Sequence, residues 1–132
     1  MENTVASDAA LPCLSLVSAA DYAQREAAIA TAVAKLPAVA KIGVILEGLP
    51  AGAMPLQSTA TLQVQRIAPG CFCCIGNLTM RVTLNRLLRS KPQYLFLGIA
   101  SAEHLDNVLQ VLRSAPYAEL LKIENNIILA SN

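Results

Sequence analysis

Three of the cysteines in this 132-residue chain fall within four positions, in the stretch PGCFCCIGN at residues 69–77. Cys71, Cys73 and Cys74 stand between Gly70 and Gly76, and glycine gives a tight turn the backbone freedom to aim several sulfurs at one point. Zinc and similar cations bind thiolates in a tetrahedral array. The cluster therefore predicts a site for a divalent transition metal, with zinc as the first candidate.

The fourth ligand of such a site must come from elsewhere, because the chain has no second cysteine cluster. The candidates are Glu47, His104, a water or small ligand, and a second protomer. His104 is the only histidine, and its alternative interpretation is a surface or capping residue. For the cysteines, the alternatives are small buried apolar side chains left from an ancestral site and thiol redox chemistry. No C-x-x-C pair supports the redox interpretation.

The elements that position these residues follow from the apolar pattern. Five short apolar segments predict strands, and three segments with helical spacing predict helices between them. This order predicts an α/β domain with an open, mainly parallel sheet flanked by helices. The predicted strands are 12–17, 41–47, 60–67, 93–100 and 123–130. The predicted helices are 21–36, one between its cap Asn77 and Pro92, and one between its cap Ser101 and Pro116.

Helical spacing also predicts which face of each helix meets the sheet. The predicted faces are Tyr22, Ile29, Val33 and Leu36 in the first helix, Leu78, Val82, Leu84 or Asn85, and Leu88 in the second, and Leu105, Val108, Leu109 and Leu112 in the third. In open parallel sheets the functional groups gather at the carboxyl ends of the strands. The cysteine turn and His104 both follow strands and are expected at that edge, whereas Cys13 begins its strand and is expected at the opposite edge.

Composition and charge exclude several classes of function. A formal net charge of +1 does not suit a polyanion-binding protein, and a dense basic patch with aromatic residues is absent. The chain begins without the basic and apolar pattern of a signal peptide, and charged residues interrupt every apolar run before membrane-spanning length. We therefore expect a cytoplasmic protein with a flexible tail at 1–10 and one domain at 11–132.

Half of the ten basic residues lie between positions 66 and 91, a segment that contains no acidic residue. They are Arg66, Arg81, Arg86, Arg89 and Lys91. A solvated helix face explains this charge, and the alternative is a surface that meets an acidic partner or an anion near the metal.

The segments KIGVILEG and LQVQRIAPGCFCCIGNLTMRVTLNRLLRSKPQYLFLGIAS resemble the CobW-like metallochaperone GTPases, relatives of UreG and HypB. The hallmark of that family is a strand, a G-C-x-C-C motif, a helix and an apolar strand, and residues 70–74 match the motif. The resemblance implies a P-loop NTPase-like fold and metal binding by Cys71, Cys73 and Cys74. It also puts Glu47 at the place of the glutamate in the family's Asn-Glu-Phe-Gly segment.

The nucleotide-binding residues of that family are missing here. A phosphate-binding loop needs G-x-x-x-x-G-K-[ST], but SAADYAQREAAIA follows the first strand without a glycine or a lysine. The residues at 98–101 also lack the family's carboxylate. We therefore expect a degenerate member without GTP binding or hydrolysis, and not an enzyme.

The expected function is that of a metal-binding accessory or partner protein. The alternative is a degenerate domain that serves as an oligomerisation or interaction module without metal. Three ligands per chain also leave room for a homodimer that shares one ion, since symmetric dimers are the commonest assemblies.

Overall fold

A computed structural model describes residues 11–48, 50, 54–68, 78–100 and 102–128 of the chain. Its strands are β1 (Cys13–Ser18), β2 (Ile42–Glu47), β3 (Leu62–Ile67), β4 (Tyr94–Ile99) and β5 (Lys122–Ile128). Its helices are α1 (Tyr22–Ala34), α2 (Leu78–Arg89), α3 (Ala102–Leu112) and α4 (Tyr117–Leu120). The predicted tail at 1–10 and the three cysteines at 71, 73 and 74 lie outside the described residues.

The five strands form one sheet in the order β3-β2-β4-β1-β5, and every neighbouring pair is parallel. Strands buried on both faces are near-continuous apolar runs, and the sequences IGVILE of β2 and YLFLGI of β4 have this character. The predicted α/β class with a parallel sheet is therefore confirmed. Among the described residues, no helix has the length and apolarity that crossing a bilayer requires.

Side chains alternate between the two faces of the sheet and build one core on each. Helices α2 and α3 cover one face, and α1 covers the other. The core beneath α2 and α3 includes Leu14, Leu16, Ile45, Met80, Leu84, Leu95, Leu97, Leu105, Val108 and Leu109. The core beneath α1 includes Val17, Ile29, Val44, Leu46 and Phe96.

The predicted core face of α2 is wrong at Leu78 and Val82, whereas Leu84 is buried as predicted and Leu88 packs partly buried against the core. Leu78 and Val82 are 61% and 47% exposed, and besides Leu84 the helix buries Met80, Thr83 and Leu87. The stripe through Leu78 and Val82 runs on into Asn85, Arg86 and Arg89, whereas the stripe that begins at Met80 stays mostly apolar. The sheet therefore takes the second stripe, because it buries more apolar surface for the same helix. The predicted face of α1 lies toward the sheet, as do Leu105, Val108, Leu109 and Leu112 of α3.

Strand β3 lies at one edge of the sheet, and its outer side is covered by the residues that precede it. Ser58 Oγ accepts a hydrogen bond from Val64 N at 3.1 Å, and Thr59 Oγ1 accepts one from Leu62 N at 3.1 Å. Thr59 N in turn donates to Leu62 O at 2.8 Å. These contacts engage backbone groups that an edge strand otherwise exposes to pairing.

Tyr117 joins α4 to α2, because its side chain is buried and its hydroxyl donates a hydrogen bond to Asn85 Oδ1 at 2.7 Å. Burial raises the pKa of Tyr117 above its ordinary value of 10.0. The folded state then holds the phenolic proton more tightly than the unfolded state, so this contribution to stability is present below about pH 10 and is lost as the pH rises further.

Replacement of Tyr117 with phenylalanine is expected to lower the free energy of unfolding by about 1 kcal/mol at neutral pH, because one buried hydrogen bond is lost. The variant should also lose less stability than the wild type above about pH 10. Urea unfolding at neutral and alkaline pH measures both effects. Equal alkaline losses in the two proteins would contradict the assignment.

Candidate functional site

Glu47 is the last residue of β2, and its buried carboxylate joins two neighbouring elements. Oε1 accepts a hydrogen bond from Ala100 N, directly after β4, at 2.9 Å. His104 Nδ1, in the first turn of α3, lies 2.9 Å from Oε2 and 3.1 Å from Oε1. His104 therefore lies at the carboxyl edge of the sheet, where the order of the elements predicted it, and it contacts the other candidate ligand, Glu47.

The geometry of this contact assigns the proton on the imidazole ring. An ionised carboxylate can only accept hydrogen bonds, so the network assigns the proton to His104 Nδ1. The Glu47 side chain is 1% exposed, whereas the His104 side chain is 17% exposed. A histidine held in this way can use Nε2 as a metal ligand or as a proton acceptor.

The strand that precedes the cysteines in the sequence, β3, ends beside Glu47. Ile67, the last residue of β3, is in register with Glu47, and Gly48 N donates a hydrogen bond to Ile67 O at 2.8 Å. Cys71 follows Ile67 by four residues in the sequence. Within the described ranges, no three His, Cys, Asp or Glu side chains form a metal-like cluster, so Glu47 and His104 are the two candidates that the structure brings together.

Cys13 begins β1 and pairs there with Tyr94 and Lys122. It therefore lies at the amino edge of the sheet, opposite to Glu47 and His104, as its position in the sequence predicted. Burial and the neighbouring Glu124 raise the pKa of the Cys13 thiol. Cys13 is thus separate from the candidate site and has less thiolate character than an ordinary cysteine.

Arg25 extends from the first turn of α1 to the end of β2. Its Nη1 donates to Ala19 O at 2.6 Å and to Ala20 O at 3.0 Å, and its Nη2 donates to Glu47 O at 2.6 Å. Burial lowers the pKa of Arg25, and the charge of Glu47 opposes this effect. The turn after β1 therefore presents carbonyl oxygens to a buried cation.

A second buried polar cluster lies next to Arg25 on the same face of α1. Glu26 Oε2 accepts hydrogen bonds from Arg66 Nη2 at 2.8 Å and from Leu56 N at 2.9 Å. Arg66 also donates through Nε to the hydroxyl of Tyr22 at 2.7 Å and through Nη2 to Leu56 O at 2.9 Å. Burial, reinforced by Glu26, raises the pKa of Tyr22. These contacts tie α1 to β3 and to the residues before β3.

Arg25 and Glu26 are not among the residues that the sequence predicted for a site. They stand three and four positions after Tyr22, and Ile29 follows Glu26 by three. Both charged side chains therefore fall on the apolar stripe of α1. A charged residue on such a stripe was the signal that could have found them, since charged groups are seldom buried without a partner.

No protein-family model, no curated protein and no solved structure matches this chain. The fold defines the class of protein: an α/β protein with a wholly parallel five-stranded sheet. The resemblance to the CobW-like family stays a prediction.

Proposed function

We propose that this protein binds a divalent transition metal, with zinc as the first candidate, through Cys71, Cys73, Cys74 and His104. It acts in this proposal as a metal-binding accessory or partner protein and not as a GTPase. The observation that carries the proposal is the contact between His104 and Glu47, at the edge of the sheet where β3, the strand that precedes the cysteines in the sequence, also ends.

Metal-binding histidines commonly donate their second ring N–H to a carboxylate, which fixes the tautomer and raises the basicity of the ligand nitrogen. His104 has this arrangement with Glu47, so it would bind the metal through Nε2. Glu47 has hydrogen bonds at its carboxylate from Ala100 and His104. Its role in the proposal is therefore to orient the histidine. A bound zinc ion would supply a Lewis-acidic centre with a tetrahedral preference.

The short segment between β3 and the cysteines is compatible with one metal site formed by the cysteines and His104. Neighbouring strands are about 4.8 Å apart, so the ends of β2 and β3 lie side by side. The four residues from Ile67 to Cys71 span at most about 14 Å when extended. This span exceeds the spacing of neighbouring strands, which supports a site that joins the cysteines to His104. Imidazole and thiolate together are a ligand set that zinc accepts.

The contacts of Arg25 support a function that does not involve a nucleotide phosphate at the turn after β1. Phosphate sites in parallel sheets present backbone N–H groups to the anion at the turn after a strand. Here the carbonyl oxygens of Ala19 and Ala20 are turned toward the guanidinium of Arg25. This arrangement favours a cation at that place, and it agrees with the missing glycine and lysine in the sequence.

Cobalt titration tests the proposed role of the histidine. His104→Gln is expected to weaken Co²⁺ binding by at least about 100-fold, the upper end of the effects of outer-shell substitutions, because a direct ligand is lost, while thiolate-to-cobalt absorption persists because the cysteines remain. Asp106→Asn, an exposed change on the same helix, is the matched control and should bind as the wild type does. Equal affinity of the His104 variant and the wild type would contradict the proposed ligand set.

A second candidate function is the interaction module without metal. The exposed Leu78 and Val82 on α2 favour it, because they lie on the same helix as the exposed Arg86 and Arg89. For this function we expect the protein to bind no metal and to be fully folded in its metal-free form.

A further inference from the structure

Glu47 is the first residue of β2 beyond the part of the strand that pairs with β4, and its carbonyl oxygen has a different partner. The ladder between the two strands pairs Ile42 through Leu46 of β2 with Tyr94 through Gly98 of β4, and Glu47 is the next residue of β2. Its carbonyl accepts the Nη2 hydrogen bond of Arg25 at 2.6 Å. A side chain from α1 thus holds the backbone of the residue whose carboxylate contacts His104.

The absence of a side chain at Gly48 leaves room for the guanidinium of Arg25. Gly48 has a φ of +117°, a conformation that residues with a side chain rarely adopt. A Cβ at Gly48 would lie 2.7 Å from Arg25 Nη2 and 3.0 Å from the ring of Tyr22. The guanidinium carbon of Arg25 lies 5.4 Å from the centre of the Tyr22 ring, within the range of a cation–π contact. Gly48, Tyr22 and three carbonyl oxygens therefore fix Arg25 in one position.

We propose that Arg25 is a positioning residue for His104, acting through the backbone of Glu47. It holds the end of β2 so that the Glu47 carboxylate meets both Ala100 N and His104 Nδ1. The effect on the imidazole tautomer is a property of the metal-free protein, whereas the effect on metal affinity rests on the proposed function.

Arg66 provides a matched control for this role. It is a second arginine anchored beside α1, and its hydrogen bonds go to Glu26, Leu56 and the Tyr22 hydroxyl, whereas Arg25 meets the ring of Tyr22 and donates to Ala19, Ala20 and Glu47. Lysine at position 25 cannot reproduce the planar fork that reaches Ala19, Ala20 and Glu47 together, because its ammonium is a single compact donor group. A lysine substitution at each arginine therefore keeps the charge and changes only the geometry of the donors.

The test uses the single histidine of the chain as a spectroscopic probe. Two-bond nitrogen–proton correlations in metal-free protein report which ring nitrogen carries the proton. We expect the wild type and Arg66→Lys to show the Nδ1–H tautomer, and Arg25→Lys to show a lower fraction of it. Arg25→Met should lower that fraction further. An unchanged tautomer in folded Arg25→Lys would overturn the proposal.

Cobalt titration of the same proteins separates this proposal from the proposed function. Arg25→Lys should weaken Co²⁺ binding by about 10-fold relative to Arg66→Lys, the lower end of the effects of outer-shell substitutions. If Arg25→Lys changes the tautomer but the wild type binds no Co²⁺, the positioning role is supported and the metal site is refuted. Normal Co²⁺ binding with an unchanged tautomer would refute the positioning role alone.

Discussion

Replacement of Cys71, Cys73 and Cys74 together with serine is expected to abolish metal binding, because it removes all of the clustered thiolates. The wild type, purified under reducing conditions without chelator, should hold about one zinc ion per chain. Half an ion per chain would indicate a site shared by two protomers. Elemental analysis combined with thiol titration measures both quantities on the same sample.

Cys13→Ser is the matched control for the triple variant. It removes one thiol from the opposite edge of the sheet, so metal content should equal that of the wild type. In the wild type, the pKa of the Cys13 thiol is raised, so Cys13 should react more slowly than an ordinary cysteine in the thiol titration. A wild type without metal, with three readily titrated thiols, would contradict the proposed function and favour the interaction module.

Arg66→Met is expected to lower the free energy of unfolding by about 3–5 kcal/mol, because it leaves the buried carboxylate of Glu26 without its charged partner. Glu26 is 0% exposed, and the Arg66 side chain is 20% exposed, so water replaces the lost contact poorly. Urea unfolding of the variant and the wild type measures the loss.

A double-mutant cycle separates the ion pair from the packing of its side chains. Glu26→Gln combined with Arg66→Met removes both charges, so the double variant should be more stable than Arg66→Met alone. If Arg66→Met costs less than about 1 kcal/mol, the pair behaves as an exposed salt bridge and its proposed structural role is wrong.

The sheet could be predicted from the sequence because its central strands β2 and β4 are continuous apolar runs with turn residues between the elements. The observed bounds of β1 and β2 differ from the predicted ones by one residue, which is the usual uncertainty at the end of an element. The core face of α3 was predictable for the same reason, since its apolar residues form one stripe. In α2 two stripes compete, and the choice between them depends on the sheet against which the helix packs.

The candidate site was predictable only in part. The order of the elements put His104 at the carboxyl edge, but its contact with Glu47 depends on the crossing that places β2 beside β4. Arg25 contacts Glu47 across 22 positions of sequence, and no local pattern encodes that pairing. Three-dimensional proximity of this kind follows from the strand order, which the sequence pattern does not determine.

The covered edge of β3 limits how this sheet can grow. Ser58 and Thr59 already engage Leu62 and Val64 on the outer side of that strand, so an incoming strand would have to displace them. β5 forms the other border of the sheet. If two copies of this chain were to build one continuous ten-stranded sheet, we expect the join to run along β5, with the two β3 strands at its far ends.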